Sequence, residues 1–530
     1  MADINKDGIP QIPKDKFSFV HEGERISDKK FEDKPIGYLK DAWIRFRKNR
    51  ASVVATIIII CIFLYAFLTP LLITNHDSKF MDSMYAKKPG RVAWLRDSIG
   101  LLDGGVEREF SQKNLILTLG MGVAAEDWAG KGDRKLNSAM DSAYQPMLNV
   151  GEPETFLNPA KQEVTVYPSR VDSYLEVGFI YKDIEQHQLQ EILDWQEKTG
   201  KRLLYPLIEE NEWCADIENA NYWYKTDSKL HPVTVDDWGS ATRLKYKDNM
   251  VLDDNYLRHA NGDPVYYKYH GGGSVETAQF RIRVLYYNWF QYVNGGALPD
   301  YIMGTDSVGY DLALRIAGGI KLSLLVAVSV SIINFLLGAV YGAVEGYYGG
   351  VIDLVLERIS DILNGVPFII VATLFQIHLA KKLGPVPCLL FAYIATGWIG
   401  TAYRVRSQFY RFKNQEYVMA ARTLGASDRR IIWKHIFPNT LGTLITSSAL
   451  VIPGTIMSES MLSFLGIVKL GTADATSLGT LLSDAQGIWT NYPHLMLYPA
   501  LVISLLMICF NLFGNGLRDA FNPALRGVED

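Results

Sequence analysis

One uninterrupted apolar run near the start of the chain limits its possible folds more than any other feature. The run at Ala51–Ile73, ASVVATIIIICIFLYAFLTPLLI, contains no charged residue and reaches the roughly 20 residues that a helix needs to cross a bilayer. The basic cluster RFRKNR, at Arg45–Arg50, comes directly before it. Since Lys and Arg concentrate on the cytoplasmic side of a membrane, this first span is predicted to run from inside to outside.

Apolar runs of comparable length return only after Met303. They predict five more spans, at Leu322–Val344, about Ile362–Leu379, Pro387–Ala402, Leu441–Leu465 and about His494–Phe513. Six spans place both termini in the cytoplasm. The many Arg and Lys residues between positions 404 and 434 then lie on the cytoplasmic side, as expected. Lys381 and Lys382 fall outside and are an exception to this bias.

The spans divide the chain into four predicted parts: a cytoplasmic tail (1–44), the first transmembrane helix (45–73), an extracytoplasmic insertion (74–302) and a membrane core of five helices (303–530). The tail has no apolar core near Met1, so we expect no cleaved signal peptide. The predicted fold class is an all-α polytopic membrane protein that carries an inserted α+β extracytoplasmic domain.

The insertion mixes two kinds of hydrophobic pattern. Alternation at Val164–Tyr181 and Phe280–Tyr287 predicts strands, whereas Ile184–Arg202 predicts a helix that ends near Gly200. The many Tyr and Trp residues fit a carbohydrate- or peptide-binding face, but aromatic residues on strands also serve as ordinary packing. The sequence leaves both interpretations open.

Several functions find little support. The net charge of −4 gives no reason to expect a nucleic-acid partner. Gly130-Lys131 lacks the glycine five positions earlier and the following Ser or Thr of a phosphate-binding loop. The four cysteines lie far apart, and Cys214 is the only one in the insertion, so no internal disulfide is expected there. No catalytic residue and no metal site are predicted.

A polar, basic segment interrupts the membrane core. Asn414–Asn439, NQEYVMAARTLGASDRRIIWKHIFPN, lies between two predicted spans. Glu416–Thr423 is predicted to form a short helix, which Gly425 ends. A second, amphipathic helix is predicted to begin after Ser427 or Asp428 and to be stopped by Pro438. Two short helices at an angle form a projection that another protein could hold.

This segment resembles the EAA loop of ATP-binding-cassette (ABC) importer permeases, and four further motifs occur with it in order. The five together resemble the C-type permease of oligopeptide, dipeptide and nickel ABC importers, over the first span and Met303–Arg526. The other four motifs are GTDxxGxD (304–311), EGYYGG (345–350), ESMLSFLG (459–466) and FNLFGNGLRDAFNPALR (510–526).

The resemblance implies a permease subunit in the plasma membrane of a prokaryote, which takes up oligopeptides by ATP-driven alternating access. It also implies four kinds of partner: a homologous B-type permease, two cytoplasmic ATPase subunits, an extracellular substrate-binding protein and membrane lipid. ATP and Mg²⁺ would be bound by the ATPase subunits, so this chain would be neither an enzyme nor a cofactor-binding subunit. Contact with the ATPase is expected from Glu416, Ala420, Ala421, Arg422, Gly425, Ile436 and Pro438.

Two further sets of residues are singled out. The extracytoplasmic family motif comprises Gly304, Thr305, Asp306, Gly309 and Asp311. Tyr310 replaces the arginine common in GTDxxGRD, and the large insertion is a departure from ordinary members. Glu459 lies close to or inside the fifth span, where an ionisable residue is a candidate functional site. It could instead lie near the outer interface, hydrogen-bonded to a neighbouring serine.

Two other classes of protein remain as alternatives. A membrane receptor or sensor would bind a ligand through the insertion and a cytoplasmic partner through the basic segment, but the tails are too short for a signalling output domain. A membrane enzyme would need a catalytic constellation outside, and the sequence contains no HExxH, GxSxG or paired Cys/His spacing there.

Overall fold

The computed structural model describes residues 38–73, 79–126, 143–208, 219–222, 244–245, 251–252, 255–272, 278–471 and 476–521. Gly130-Lys131, Cys214, the first 37 residues of the predicted tail and the end of the last motif lie outside these ranges. Helix α1 (Tyr38–Lys48) is followed by α2 (Arg50–Leu72). The Asn49 side chain caps α2 by accepting from the Ser52 backbone N–H at 3.2 Å.

The described part of the insertion contains two four-stranded antiparallel sheets and one two-stranded pair. The first comprises β1 (Gly105–Phe110), β2 (Met147–Val150), β3 (Glu154–Leu157) and β4 (Glu163–Asp172), in which β4 pairs with the other three. The second comprises β5 (Phe179–Glu185), β6 (Leu204–Tyr205), β9 (Tyr267–Gly271) and β10 (Gln279–Leu285), in which β10 pairs with the other three. A separate pair is formed by β7 (Leu244–Lys245) and β8 (Val251–Leu252).

Within the described residues, four α-helices accompany these sheets. They are α3 (Ala93–Ile99), α4 (Gln112–Glu126), α5 (Gln186–Thr199) and α6 (Tyr286–Val293). The predicted helix end at Gly200 is present, because Gly200 adopts a left-handed conformation at the C-cap of α5. The alternating run 164–181 is not one strand: it is divided between β4 and β5, with Gly178 at φ +65° in the turn.

The membrane core is built from the remaining helices. They are α7 (Leu312–Tyr348), α8 (Gly350–Asn364), α9 (Phe368–Leu383), α10 (Pro385–Thr396), α11 (Ile399–Phe412), α12 (Glu416–Thr423), α13 (Asp428–Arg430), α14 (Phe437–Ala449), α15 (Val451–Phe464), α16 (Leu478–Ala485) and α17 (His494–Phe521).

Within the described ranges, five helical stretches are long and apolar enough to cross a membrane, and the bent pair α8 and α9 makes a sixth if it counts as one span. The five are Arg50–Leu72, Leu312–Tyr348, Pro385–Phe412, Asp428–Phe464 and His494–Phe521. The predicted fold class is confirmed. The third span differs from a straight helix over 362–379, because α8 and α9 meet at 71° around Gly365–Pro367.

Helix α7 is the centre of the membrane core and packs against α2, α11 and α15. Glycines one turn apart bring it close to α11. A Cβ added at Gly338 would lie 2.6 Å from Thr401 Cβ, and one added at Gly346 would lie 2.7 Å from Phe409 Cβ. Between them, Gly342 faces the carbonyl of Ala402 even more closely. Small residues therefore set this helix spacing, as is common in membranes.

The two chain segments that enter and leave the insertion are joined to each other in a neck, which we define as residues 82–91 and 301–306. Arg91 and Tyr301 exchange two backbone hydrogen bonds, both of 2.8 Å. The Lys87 N–H donates to the Asp306 carbonyl at 2.8 Å. Beside the neck, the buried Arg91 side chain pairs with the buried Asp172 of β4, with 3.3 Å between Nε and Oδ2. The insertion is thus closed at its base.

Candidate functional sites

The segment predicted to contact an ATPase has a defined turn between its helices. Helix α12 spans Glu416–Thr423, as predicted, and Gly425 follows with φ +81°. This left-handed conformation suits glycine, because in it a Cβ lies too close to the carbonyl oxygen of the adjacent peptide. A Cβ added at Gly425 would meet no atom within 4 Å. The backbone conformation, rather than crowding, therefore favours glycine here.

The prediction that Pro438 stops the second helix is wrong. The chain stays helical from Asp428 to Phe464, through α13, a π-helical turn at Ile431–Ile436 and then α14, whose first turn contains the exposed Pro438. Proline lacks an N–H and its ring crowds the preceding turn. The wider π turn, in which the Phe437 N–H donates to the Ile432 carbonyl, accommodates it. The second helix of the segment and the fifth span form one continuous element.

The seven predicted contact residues divide by exposure into two groups. Ala421 and Ile436 are buried, together with Val418, Ile431 and Ile432. The three isoleucines and Val418 pack against α7 and α11 in one hydrophobic cluster. The other five predicted residues are exposed: Glu416, Ala420, Arg422, Gly425 and Pro438. The first group fixes the segment to the membrane core, and the second forms a free surface.

Leu424 is a residue of this surface that the sequence analysis missed. Its side chain is 87% exposed, at the turn between α12 and α13. Met419, on α12, is 54% exposed. The sequence could have indicated this role, because Leu424 is an aliphatic residue directly before Gly425 in a turn that is otherwise polar. An aliphatic side chain held at the tip of a fixed turn is suited to insertion into a groove of another protein.

The EGYYGG motif positions this segment through Tyr347, near the end of α7. The Tyr347 hydroxyl donates to Asp428 Oδ1 at 2.5 Å. Arg422 Nη2 donates to the same hydroxyl at 3.4 Å. One side chain therefore connects the two halves of the segment to the central helix of the core.

A charged network lies at the same end of the core and was also missed. The guanidinium of Arg406, on α11, donates to both carboxylate oxygens of Asp353 at 2.7 and 2.9 Å, and to those of Glu357 at 2.9 and 3.1 Å. Arg406 Nε lies 3.5 Å from Glu345 Oε1. Paired arginine bonds of this kind are directional and strong, so they fix α8 against α7 and α11.

The motif at 304–311 builds the start of α7. Asp306 Oδ1 accepts backbone N–H bonds from Val308, Gly309 and Tyr310 at 2.8 to 2.9 Å. Asp311 caps α7 by accepting from the backbone N–H groups of Ala313 and Leu314 at 2.7 and 3.3 Å. Gly304 and Gly309 both have positive φ and press against the backbone of residues 82–90.

Thr305, which belongs to both the motif and the neck, joins the two segments of the neck. Its hydroxyl donates to the Tyr85 carbonyl and accepts the Lys88 N–H at 2.9 Å. Burial is the largest influence on the neighbouring Lys88 side chain and lowers its pKa. Burial also raises the pKa of Asp484, on α16, which lines a small cavity with Asp306. Through these hydrogen bonds, the residues of the motif hold the two backbone segments of the neck together.

Arg315 provides near Asp306 the arginine that position 310 lacks. Arg315, five residues later, reaches back to Asp306, with 3.3 Å between Nε and Oδ2. Its guanidinium carbon lies 4.5 Å from the centre of the Tyr310 ring. Asp306 therefore has an arginine partner from α7, and the tyrosine supports that arginine through a cation–π contact.

Glu459 lies inside the bundle and is 1% exposed. The Ser323 hydroxyl of α7 donates to Oε2 at 3.0 Å, and the Ser463 hydroxyl donates to Oε1 at 3.1 Å. Ser458, the serine directly before Glu459, bonds instead with the Tyr393 hydroxyl at 2.6 Å. The carboxylate connects α15 to α7. Among the described residues, no three His, Cys, Asp or Glu side chains come together as a metal site would need.

Comparison with known proteins identifies the family. Residues 334–527 match the family described as "Binding-protein-dependent transport system inner membrane component". Residues 37–89 match the "N-terminal TM domain of oligopeptide transport permease C". The chain is 39% identical over 228 residues to the oligopeptide transport system permease protein OppC of Bacillus subtilis (strain 168), covering 43% of this chain and 73% of that protein. The chain belongs to this permease family.

A dipeptide permease also agrees with this assignment. The dipeptide transport system permease protein DppC of the same organism is 40% identical over 233 residues, covering 43% of this chain and 70% of that protein. Among solved structures, the chain is similar to one that shows inward-facing conformations of the MetNI methionine ABC transporter. The match covers 39% of this chain and 96% of the chain in that structure, at 16% identity and a TM-score of 0.33. The permease is a multi-pass inner-membrane transport subunit and not an enzyme. Residues 90–333 lie in neither matched range.

Proposed function

We propose that this permease takes up oligopeptides delivered by an extracellular binding protein, by ATP-driven alternating access. It pairs with a homologous B-type permease, and two cytoplasmic ATPase subunits drive the pair. ATP and Mg²⁺ are bound by those ATPase subunits, and this chain binds no cofactor of its own. Both termini lie in the cytoplasm, and residues 74–302 lie outside the plasma membrane of a prokaryotic cell.

The observation that carries the proposal is the segment 414–439, which we now call the coupling segment. Its exposed tip at Leu424 is backed by the buried Ile431, Ile432 and Ile436. Burying a leucine side chain contributes about 1.5–3 kcal/mol, which suits a tip that enters a groove of the ATPase. Since the helix from Asp428 continues to Phe464, a displacement of the tip is carried directly into the fifth span.

The peptide substrate is supported by the relatives. The proteins that match at 39% and 40% identity are named for oligopeptide and dipeptide transport, and a third, OppC of Haemophilus influenzae, is 42% identical over 225 residues. We assign oligopeptides rather than nickel or sugar to this permease on that basis.

We assign the insertion to docking of the binding protein. The neck fixes both ends of the insertion beside the start of α7, through the bonds between Arg91 and Tyr301 and those of Thr305. The insertion therefore cannot move far from the outer mouth, where a binding protein must dock. A passive spacer, by contrast, would need no specific surface.

Transport in a reconstituted complex tests the proposal. The permease, its B-type partner, both ATPases and the binding protein are placed in proteoliposomes, and uptake of labelled oligopeptide is measured with and without ATP. ATP-dependent accumulation is expected, and it should disappear with ATPases that cannot hydrolyse ATP. Competition with nickel and with sugars tests the substrate class.

The coupling role has its own comparison within this assay. Leu424→Asp should abolish stimulation of ATP hydrolysis by the loaded binding protein, because a carboxylate would be buried without a partner. Leu424→Met, which retains apolar volume, should preserve most of it. A complex that assembles and binds ligand but accumulates no substrate would favour a receptor over a transporter.

A further inference from the structure

The insertion carries a projecting arm, which we define as residues 152–165. It consists of β3 and the first residues of β4, and every residue in it is exposed except Asn158 and Val164, which are half-buried. Phe156 is 47% exposed and Leu157 is 65% exposed. In the described chain, no aromatic ring packs against Phe156. A two-stranded hairpin that is open to solvent on both faces is marginal on its own, so its order needs an explanation.

The arm is nevertheless a regular hairpin. Four residue pairs align without a break, from Glu154 opposite Val166 to Leu157 opposite Glu163. The turn is closed by the backbone bond from the Asn158 N–H to the Gln162 carbonyl at 2.9 Å, and by the Gln162 N–H donating to Asn158 Oδ1, also at 2.9 Å. These bonds fix the arm in one shape, as a recognition element requires.

The two faces of the arm differ in character. Residues directly opposite each other in an antiparallel pair lie on the same face, and successive residues alternate faces. Phe156 and its partner Val164 therefore share the face that continues to the buried Val166. Leu157 lies on the other face, opposite Glu163. One face therefore presents a short apolar stripe of Phe156, Val164 and Val166, and Glu154 lies on the same face opposite Val166.

The arm reaches well beyond the base of the insertion. Strand β4 ends at Asp172, which pairs with Arg91 at the neck. Glu163, at the other end of β4, is nine residues away, a distance of about 30 Å along a strand. The tip is thus separated from the neck by roughly the width of a small domain.

Charge indicates what the arm contacts. The arm contains Glu152, Glu154, Glu163 and only one basic residue, Lys161, for a net charge of −2. Three carboxylates would lose hydration at a lipid surface, and two copies of the arm would repel each other. The stripe and its acidic border fit a protein surface that offers an apolar hollow rimmed by Lys and Arg.

We infer that the Phe156 face of this arm is the docking element for the extracellular substrate-binding protein. The inference rests on the proposed function and makes it specific, because it assigns the insertion's docking role to one ring and one face. Phe156 is the anchor, since aromatic anchors carry much of the energy of such interfaces. The carboxylates of the arm attract and orient the basic rim of the binding protein.

The test compares two substitutions on one hairpin. Phe156→Ser and Leu157→Ser remove exposed apolar side chains from opposite faces of the arm. The complex with its partner permease and ATPases is placed in nanodiscs, and the peptide-loaded binding protein is titrated while ATP hydrolysis is followed. Phe156→Ser should raise the half-maximal binding-protein concentration roughly tenfold or more. Leu157→Ser should change it less than about twofold.

Two controls separate the possible failures. Basal ATP hydrolysis and co-purification of the partner permease should be unchanged in both variants. Loss of the partner permease from the Phe156→Ser complex would show that the arm contacts that subunit, and it would overturn the inference. Equal half-maximal concentrations in both variants and the unchanged complex would also overturn it, while leaving the proposed function intact. If the unchanged complex shows no stimulation by any loaded binding protein, the proposed function itself fails.

Charge provides a second, independent measurement. Raising the salt concentration should raise the half-maximal binding-protein concentration of the unchanged complex, because salt screens the attraction between the arm and a basic rim. The double variant Glu154→Gln, Glu163→Gln should reduce this salt dependence. A salt dependence that is the same with and without these carboxylates would exclude a basic partner surface.

Discussion

Replacing Gly425 with valine tests whether the left-handed turn of the coupling segment transmits motion. Gly425 has φ +81°, a conformation that costs a residue with a Cβ about 1–2 kcal/mol. Because an added Cβ would meet no atom within 4 Å, this backbone term is the whole expected effect. It corresponds to a roughly 5- to 30-fold shift away from the native turn.

The expected result is a parallel loss of two activities. Peptide-stimulated ATP hydrolysis and uptake should both fall by about that factor in Gly425→Val, because fewer complexes hold Leu424 in the docking position. Assembly with the partner permease should survive, since the buried Ile431, Ile432 and Ile436 are untouched. The assays are the stimulated ATPase rate and labelled-peptide accumulation in proteoliposomes.

Two matched variants isolate the cause. Gly425→Asn should recover most activity, because Asn tolerates the left-handed region better than a β-branched residue does. Gly454→Val should be nearly silent: Gly454 lies in helix α15, and an added Cβ there also meets nothing within 4 Å. Undiminished uptake in Gly425→Val would refute the assignment of the coupling segment. An equal loss in Gly425→Val and Gly425→Asn would refute the backbone explanation.

Three further outcomes are expected. A membrane-impermeant thiol reagent added to intact cells should label a cysteine introduced at Asp263 and not one at Ser427, and the opposite pattern would invert the topology. Tyr347→Phe removes the hydroxyl that donates to Asp428 at 2.5 Å, a bond to a charged group worth about 1.5–3 kcal/mol. Stimulated ATP hydrolysis should therefore fall about tenfold or more while assembly persists. An unchanged rate of hydrolysis would exclude a positioning role for Tyr347. Gly342→Leu should lower the midpoint of thermal unfolding in detergent, because it forces a side chain against the Ala402 carbonyl, whereas Gly318→Leu, where an added Cβ meets nothing within 4 Å, should not.

Local sequence pattern was sufficient to predict several helices and their bounds. The run Ala51–Ile73 coincides closely with α2 at Arg50–Leu72, and the predicted helix Glu416–Thr423 has the bounds of α12. Both follow from hydrophobic runs, helix propensity and a glycine stop, which act within a few residues. The same is true of the end of α5 at Gly200.

Features that depend on distant partners could not be predicted in this way. Proline rules predicted a helix end at Pro438, yet the π turn before it removes the conflict. Arg315 reaches Asp306 only after α7 has started its first turn. The face carrying Phe156 is defined by pairing with Val164 across a turn. In each case the sequence contains the residues, but tertiary structure decides which of them meet.

The closed neck brings the two ends of the insertion together at one junction. Because Arg91 and Tyr301 are hydrogen-bonded neighbours, material added between them does not alter the spacing of the membrane helices below. A gene could therefore gain, lose or exchange this domain in one recombination step without a redesign of the transporter. The same junction offers a site for grafting a foreign domain whose own termini lie close together.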